Sequence, residues 1–440
     1  MDSAVLGRRA LLLGAAATTL TGCSGSSSDP KAGASSSPSS SGPIIHGQDA
    51  GTVILDADID ALMGELNGAL TARDPRAMAA LIPGLDVSVW QGRLDTLAKF
   101  PVKELRFGVD RTYLGRQSNA SGGPLNTDLS LFLIHQIEGA DGLPVVQQYS
   151  AKISKDGPKA ALALSDVEGP DGYNSPAPWD LKGDWQVLTA EHAVLAFRSS
   201  DRAAAQRWLK PLSEGVGRAL QVITAPGGAT KVLLTMDKPD SPLFLAGKAA
   251  KDSVVRDRAG FASMADYLDP EKLTVEDETG GKGVPFYTGR IVIHPTFITG
   301  DGYASDLAAH ETAHALAGQW GFENPTWATE GFAMWVESDG GSGVMSRYGG
   351  TIRSAFPSYR ARMKGNEGLS PGDFQSGNVN ANYYCSAAIF AYVEDVHGRA
   401  KMLDLIRELY SKYSAVDQSM FKKVGARNLG DLMAKTAAWL

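Results

Sequence analysis

The spacing of apolar residues changes along the chain, and each change marks a change of predicted structure. Apolar residues recur three and four positions apart from Ile59 to Leu70, which predicts a helix. Asp74 followed by Pro75 predicts the N-cap and first turn of a second helix. A third helical run covers about 87–98. Three helices are therefore expected at the start of the folded part.

After Pro101 the period becomes that of β-strands separated by turns. Strands are predicted between 105 and 168 from the segments LRFGVDRTYL, SLFLIHQIEG, PVVQQYSAKIS and ALALSDVE. The segment SPAPWDLKGDW, 175–185, is rich in proline and polar residues and is the predicted domain boundary.

Beyond this boundary the chain returns to strands and then becomes mostly helical. Strands are predicted from the segments WQVLTA, HAVLAF, KVLLTM and GRIVIHP. A helix over 201–222 has one apolar stripe, and helices dominate from about 303 to the end. Strands first and helices second indicate an α+β fold.

Composition narrows the range of functions only slightly. The chain has 43% hydrophobic and 21% charged residues, as expected of a globular protein. Its net charge is −7 and it has no long basic run, so nucleic acid is not an expected partner.

The N-terminus predicts export and a lipid anchor. The arginine pair Arg8 and Arg9 precedes an apolar run, 10–22, that is too short to cross a bilayer. LTGC, ending at Cys23, resembles the lipobox of bacterial lipoproteins, which implies that Cys23 is lipidated. The alternatives left open are an ordinary cleaved signal peptide, and Sec rather than twin-arginine export.

This resemblance implies a signal peptide over 1–22, followed over 23–49 by the lipidated cysteine and a Ser/Gly/Pro-rich tether. The protein is then held on the extracytoplasmic face of the bacterial cell membrane by its lipid. Cys385 is the second of two cysteines. With Cys23 lipidated it has no disulfide partner, and it is interpreted as a small buried hydrophobe.

The run HETAH, 310–314, is the strongest chemical signal in the chain. On a helix, His310 and His314 lie on one face and can reach one ion. Glu311 is rotated by about 100° and can reach a water bound to that ion. Ser305 is the expected N-cap, with Asp306 in the first turn.

The following run, WATEGFAMWVE, resembles the WLNEGFAxYVE run of gluzincin zinc peptidases of the aminopeptidase-N-like (peptidase MA-like) branch. The resemblance implies that Zn²⁺ is the cofactor and that Glu330 is the third ligand. Gly331 is expected where two helices approach closely. The resemblance also implies that Glu337 orients a ligand histidine; a solvated glutamate at a helix end is the alternative.

The resemblance further implies a mechanism. Glu311 acts as the general base, and a tyrosine stabilises the oxyanion. Tyr384 is favoured over the adjacent Tyr383, which stays open. GRIVIHP, 290–296, is either the edge strand that binds extended peptide or a plain buried strand. No GxMEN motif precedes HETAH, so endopeptidase action is favoured over aminopeptidase action.

Two domains are therefore expected after the tether. The segment 50–180 resembles the nuclear-transport-factor-two-like fold in its order of helices and strands, and 185–440 resembles a gluzincin catalytic domain. The expected function is a lipid-anchored zinc endopeptidase acting on peptide or protein substrates. The alternatives are a noncatalytic envelope scaffold and a zinc hydrolase acting on cell-wall amides.

Overall fold

A computed structural model describes the chain in several ranges. They are residues 52–109, 118–119, 121, 123–169, 176–238, 243, 260–266, 287–321, 325–363, 368–412 and 418–440. The predicted signal peptide, Cys23 and the tether lie outside these residues. Within the described part, no helix combines the length and the apolar character that a membrane crossing needs.

The first folded part contains three helices and an antiparallel sheet. The helices are α1 (Asp56–Thr71), α2 (Pro75–Leu81) and α3 (Val87–Leu97). The strands are β1 (Thr52–Val53), β2 (Val102–Val109), β3 (Ser118–Asn119), β4 (Leu125–Ile137), β5 (Val145–Lys155) and β6 (Leu162–Glu168). Strands β2, β4, β5 and β6 form one sheet in the order β2-β4-β5-β6, with every pairing antiparallel.

Local signals in the sequence account for these helices. The apolar stripe of α1 is buried, as its periodicity predicts. The carboxylate of Asp74 accepts hydrogen bonds from the backbone N–H groups of Arg76 and Ala77, with Pro75 as the first helical residue. The predicted cap is therefore confirmed, and Asp86 caps α3 in the same way.

The second part is built on a five-stranded mixed sheet. Its strands are β7 (Trp185–Thr189), β8 (Ala193–Arg198), β9 (Val232–Met236), β10 (Gly260–Asp266) and β11 (Tyr287–Ile293). The order is β10-β11-β9-β8-β7. Strands β8, β9 and β11 are parallel, while β7 and β10 are antiparallel strands at the two ends.

This order settles the position of GRIVIHP. Most of that segment belongs to β11, which pairs with β9 on one side and β10 on the other. The edge-strand alternative for 290–296 is wrong because β10, formed by a segment that the sequence reading did not assign, adds beyond it. The segment is the buried strand, and its residues Ile291, Val292 and Ile293 lie in the core.

The rest of the second part is helical, as expected. The helices are α4 (Arg202–Val222), α5 (Asp301–Ala317), α6 (Thr326–Glu337), α7 (Gly341–Arg362), α8 (Pro371–Phe374), α9 (Val379–His397), α10 (Arg399–Lys412) and α11 (Leu429–Trp439). One hydrophobic core joins α5, α6, α9 and α10, with Trp327, Phe332, Trp335 and Phe390 near its centre. The α+β class is confirmed.

The two parts share packing across the predicted boundary. The turn after β4 contacts the second sheet, where Asp141 Oδ1 lies 2.7 Å from Arg290 Nη1. The Asp141 side chain is fully buried. Trp185, Leu233 and Val292 belong to the same hydrophobic cluster as the core of the first part. The first part is thus packed directly against the sheet that supports α5.

Candidate metal centre

Helix α5 brings the two histidines of HETAH together. The Nε2 atoms of His310 and His314 are 3.1 Å apart, and the ring centroids are 4.8 Å apart. Spacing of four residues puts both rings on one face, as predicted. The helix begins at Asp301, so the expectation that Ser305 is its N-cap is wrong. Packing of the fully buried Ala304 in the core extends the helix one turn further than the capping signal suggests.

Helix α6 supplies a carboxylate between the same two rings. Glu330 Oε2 lies 3.4 Å from His310 Nε2 and 3.2 Å from His314 Nε2. The Glu330 side chain is 2% exposed. A buried carboxylate is costly unless it is paired, so its position facing two imidazoles indicates a site that accepts positive charge.

Gly331 allows α6 to reach this position. A Cβ on Gly331 would lie 2.7 Å from the backbone carbonyl carbon of Ser386 on α9 and 2.8 Å from the Ser386 Cβ. Only glycine permits such an approach between two helices without displacement. The close approach expected at Gly331 is confirmed.

Glu337, seven residues after Glu330, holds the far side of His310. Its Oε2 lies 3.1 Å from His310 Nδ1, and its side chain is 16% exposed. A hydrogen bond from Nδ1–H to this carboxylate leaves the Nε2 lone pair directed at the common centre. The contact between Glu337 and a ligand histidine that the resemblance implies is therefore present. Glu337 is not a solvated glutamate at a helix end, because most of its side chain is buried.

The charges of these side chains depend on one another. Burial disfavours the charged form of Glu330, but His314 and His310 hold its pKa down at about 2. Burial also disfavours the charged form of His310, but hydrogen bonds with Glu330 and Glu337 raise its pKa to about 10. The carboxylates therefore favour positive charge at this point, which is supplied either by a proton on His310 or by a metal ion on the lone pair of the neutral ring.

The donor atoms fit a zinc ion in both chemistry and spacing. His310, His314 and Glu330 form the one group of three candidate ligands that a search of the described residues finds. Two imidazole nitrogens and one carboxylate oxygen are a known catalytic zinc set. Ligands about 2.0–2.2 Å from a tetrahedral zinc lie about 3.3–3.6 Å apart. The three observed separations, 3.1, 3.2 and 3.4 Å, are close to this spacing.

Glu311 lines the same cleft as His310 and is 7% exposed. Strand β10 passes beside it: a Cβ on Gly260 would lie 3.0 Å from Glu311 Cγ and 3.2 Å from Oε1. A glycine on this edge strand therefore leaves space for the Glu311 carboxylate.

Both candidate tyrosines line this cleft, in different surroundings. The Tyr383 ring centroid is 6.3 Å from that of His310, and burial, with Glu330 and Glu311 nearby, raises the pKa of its hydroxyl. Tyr384 stacks face to face on Tyr348, with centroids 4.0 Å apart. Tyr383 thus lies beside the ligand set, and Tyr384 belongs to an aromatic pair in the cleft.

Cys385 and the other described histidines are not part of this ligand group. His135, His192, His294 and His397 lie on other elements. Cys385 is fully buried in the helical core, and burial raises the pKa of its thiol to about 12. It is a small core residue, as predicted, since a thiol with so high a pKa is a poor nucleophile at neutral pH.

Sequence reasoning did not identify Arg218, on α4, which hydrogen-bonds to residues of both metal-site helices. The run GVG, 215–217, which precedes Arg218, could have indicated its position. Two glycines in one turn of a helix indicate a close neighbour, and the arginine after them lies beside that contact.

Neither the protein-family models nor the curated proteins that were searched give a match to this chain. The interpretation of the site therefore depends on its residues and their geometry.

Proposed function

We propose that this chain is a zinc-dependent endopeptidase of the gluzincin class. The observation that carries the proposal is the convergence of His310 Nε2, His314 Nε2 and Glu330 Oε2, separated by 3.1 to 3.4 Å. We further propose that lipid on Cys23 holds the protein outside the bacterial cytoplasmic membrane. The order of elements in α1 to β6 supports a nuclear-transport-factor-two-like domain, and the mixed sheet followed by α5 and α6 supports a gluzincin-like domain.

In this proposal His310, His314 and Glu330 would hold a zinc ion, which would supply a Lewis acid for a carbonyl and lower the pKa of a water. Glu311 is next to His310 in sequence and lines the same cleft. Its carboxylate accepts a proton from the attacking water and passes it to the leaving amine. Glu337 keeps His310 in the tautomer whose Nε2 faces the ligand centre.

A tyrosine hydroxyl completes the set by donating a hydrogen bond to the substrate carbonyl oxygen as negative charge develops there. Tyr384 and Tyr383 are the two candidates on the cleft wall. Strand β10 provides a place for the substrate backbone, because among the described residues it pairs only with β11. Gly260 brings that strand against Glu311, so an extended peptide added to this edge would pass the proposed general base.

The test combines metal analysis with cleavage of a peptide library that includes cell-wall peptide fragments. We expect the mature protein to bind one zinc ion and to cleave internal bonds. Glu311→Gln is expected to retain zinc and to lower kcat by about 10²- to 10⁴-fold, because it removes only the base. Glu191→Gln is the matched control, since the Glu191 side chain is 85% exposed. Equal cleavage by wild type and Glu311→Gln, or no zinc on the wild type, would overturn the proposal.

A further inference from the structure

One arginine side chain contacts both helices that carry the proposed ligands. Arg218 Nη1 donates a hydrogen bond to the backbone carbonyl oxygen of Glu337, at 2.8 Å. Its Nη2 donates to Asp306 Oδ1 at 2.9 Å and to Ser305 Oγ at 3.2 Å. A single guanidinium therefore links the end of α6 to the turn of α5 that precedes His310.

The contact with α6 is made at the end of that helix, where backbone carbonyl groups need hydrogen-bond donors from outside the helix. Glu337 is the last residue of α6, and carbonyl groups in the last turn of a helix lack partners within the helix. A cation is favoured there by the helix dipole. Arg218 thus fixes the same residue whose side chain reaches His310 Nδ1 at 3.1 Å.

The contact with α5 is equally constrained. Asp306 is four residues before His310, on the same face of the helix. Its second oxygen accepts a hydrogen bond from Arg347 Nη1 on α7, at 2.9 Å. The Asp306 side chain is 17% exposed. The carboxylate is therefore held between two arginines, and only Arg218 also reaches α6.

Helix α4 packs closely against α5 near Arg218. A Cβ on Gly215, one turn before Arg218, would lie 2.1 Å from the backbone carbonyl oxygen of Ser305. The backbones of α4 and α5 are therefore in direct contact just before the HETAH run. The base of the arginine side chain is thus held close to α5, while its far end hydrogen-bonds to the last residue of α6.

We infer that Arg218 is a positioning residue of the metal site, which acts by fixing Glu337 against His310. This inference rests on the proposed metal site, and it assigns Arg218 no contact with metal or substrate. Residues that orient a ligand histidine typically change metal affinity by 10- to 100-fold when they are removed.

The experiment measures zinc affinity by chelator competition, together with the visible absorption spectrum of the cobalt-loaded mature protein. We expect Arg218→Met to weaken zinc binding by about 10- to 100-fold and to alter the cobalt spectrum. Glu337→Gln is expected to produce a similar loss. The double variant should lose no more zinc affinity than the weaker of the two single variants, because both substitutions remove the same orienting contact between Glu337 and His310.

Arg347→Met is the matched control, since it removes the other arginine from Asp306 and leaves the link to α6 intact. Its zinc affinity is expected to stay within about twofold of wild type. Arg218→Lys serves if the methionine variant fails to fold. One ammonium group cannot span both helices, so about tenfold weaker binding is expected.

Three outcomes would overturn the role of Arg218. They are a zinc-affinity loss in the double variant equal to the sum of the two single losses, an equal loss in Arg347→Met, and wild-type affinity in the Arg218 variant that folds. The proposed function would survive each of these outcomes. A wild-type protein that binds neither zinc nor cobalt would instead overturn the metal site, and this inference with it.

Discussion

The substitution Gly331→Ala tests the close approach of α6 and α9 beside the candidate site. The added methyl carbon would lie 2.7 Å from the carbonyl carbon of Ser386, 2.8 Å from its Cβ and 2.9 Å from its oxygen. Carbon atoms in good contact are about 3.5–4.0 Å apart, so one helix must move by close to 1 Å. No side-chain rotation relieves the contact, because two of the three atoms belong to the backbone.

The expected magnitude is the difference between two effects. Alanine in place of glycine inside a helix stabilises by about 1 kcal/mol. Forcing extra volume into a packed core typically costs about 1–3 kcal/mol, and a backbone neighbour favours the upper end of that range. We therefore expect a net loss of about 2 kcal/mol in the free energy of unfolding. Zinc affinity should also fall, since Glu330 precedes the displaced residue.

Gly350→Ala provides the matched control on α7. A Cβ on Gly350 meets no atom within 4 Å, so only the helix-propensity term acts there and the protein gains up to about 1 kcal/mol. Urea unfolding of both variants with and without zinc gives the comparison. Equal stability of the two variants, with unchanged zinc affinity in Gly331→Ala, would refute the described approach of α6 and α9.

Three further predictions concern pH, catalysis and anchoring. Burial lowers the pKa of His135 from 6.5 to about 4. The fold therefore keeps this imidazole neutral. Its contribution to the stability of the folded state is complete above about pH 6.5 and is lost as the pH falls towards 4. Urea unfolding should show that the free energy of unfolding falls by about 3 kcal/mol between pH 6.5 and pH 4. His135→Gln should make this pH dependence weaker. An unchanged pH dependence in the variant would contradict the lowered pKa of His135. Tyr384→Phe should lower kcat by about 10²-fold with zinc retained; the same loss in Tyr383→Phe alone would move the role to that residue. Cys23→Ala should release the protein from the membrane fraction, and retention there would exclude a lipid anchor on Cys23.

Much of the candidate site can be predicted from the sequence because its geometry is local. Two histidines four apart on a helix necessarily share a face, and Glu330 and Glu337 are two turns apart on one side of α6. Gly331 was identified from the same run, since a glycine inside an apolar helix indicates a close neighbour.

The remaining features depend on packing between distant segments. The sequence of 290–296 fits an edge strand and an interior strand equally well, because the strand order depends on which other segment pairs with it. Ser305 and Asp306 have the composition of a helix start, yet the structure uses both as acceptors for Arg218. Tyr383 and Tyr384 are adjacent, so the rotation of α9 decides which one reaches the ligand set.

The core shared by the two parts has a consequence for how this protein can be shortened. Trp185, Leu233 and Val292 pack with side chains from the first part, and the Asp141 carboxylate is buried against Arg290. A fragment beginning at β7 would leave those apolar surfaces in water and Arg290 without its carboxylate. We therefore expect such a fragment to aggregate, so both parts are needed for a stable shortened protein.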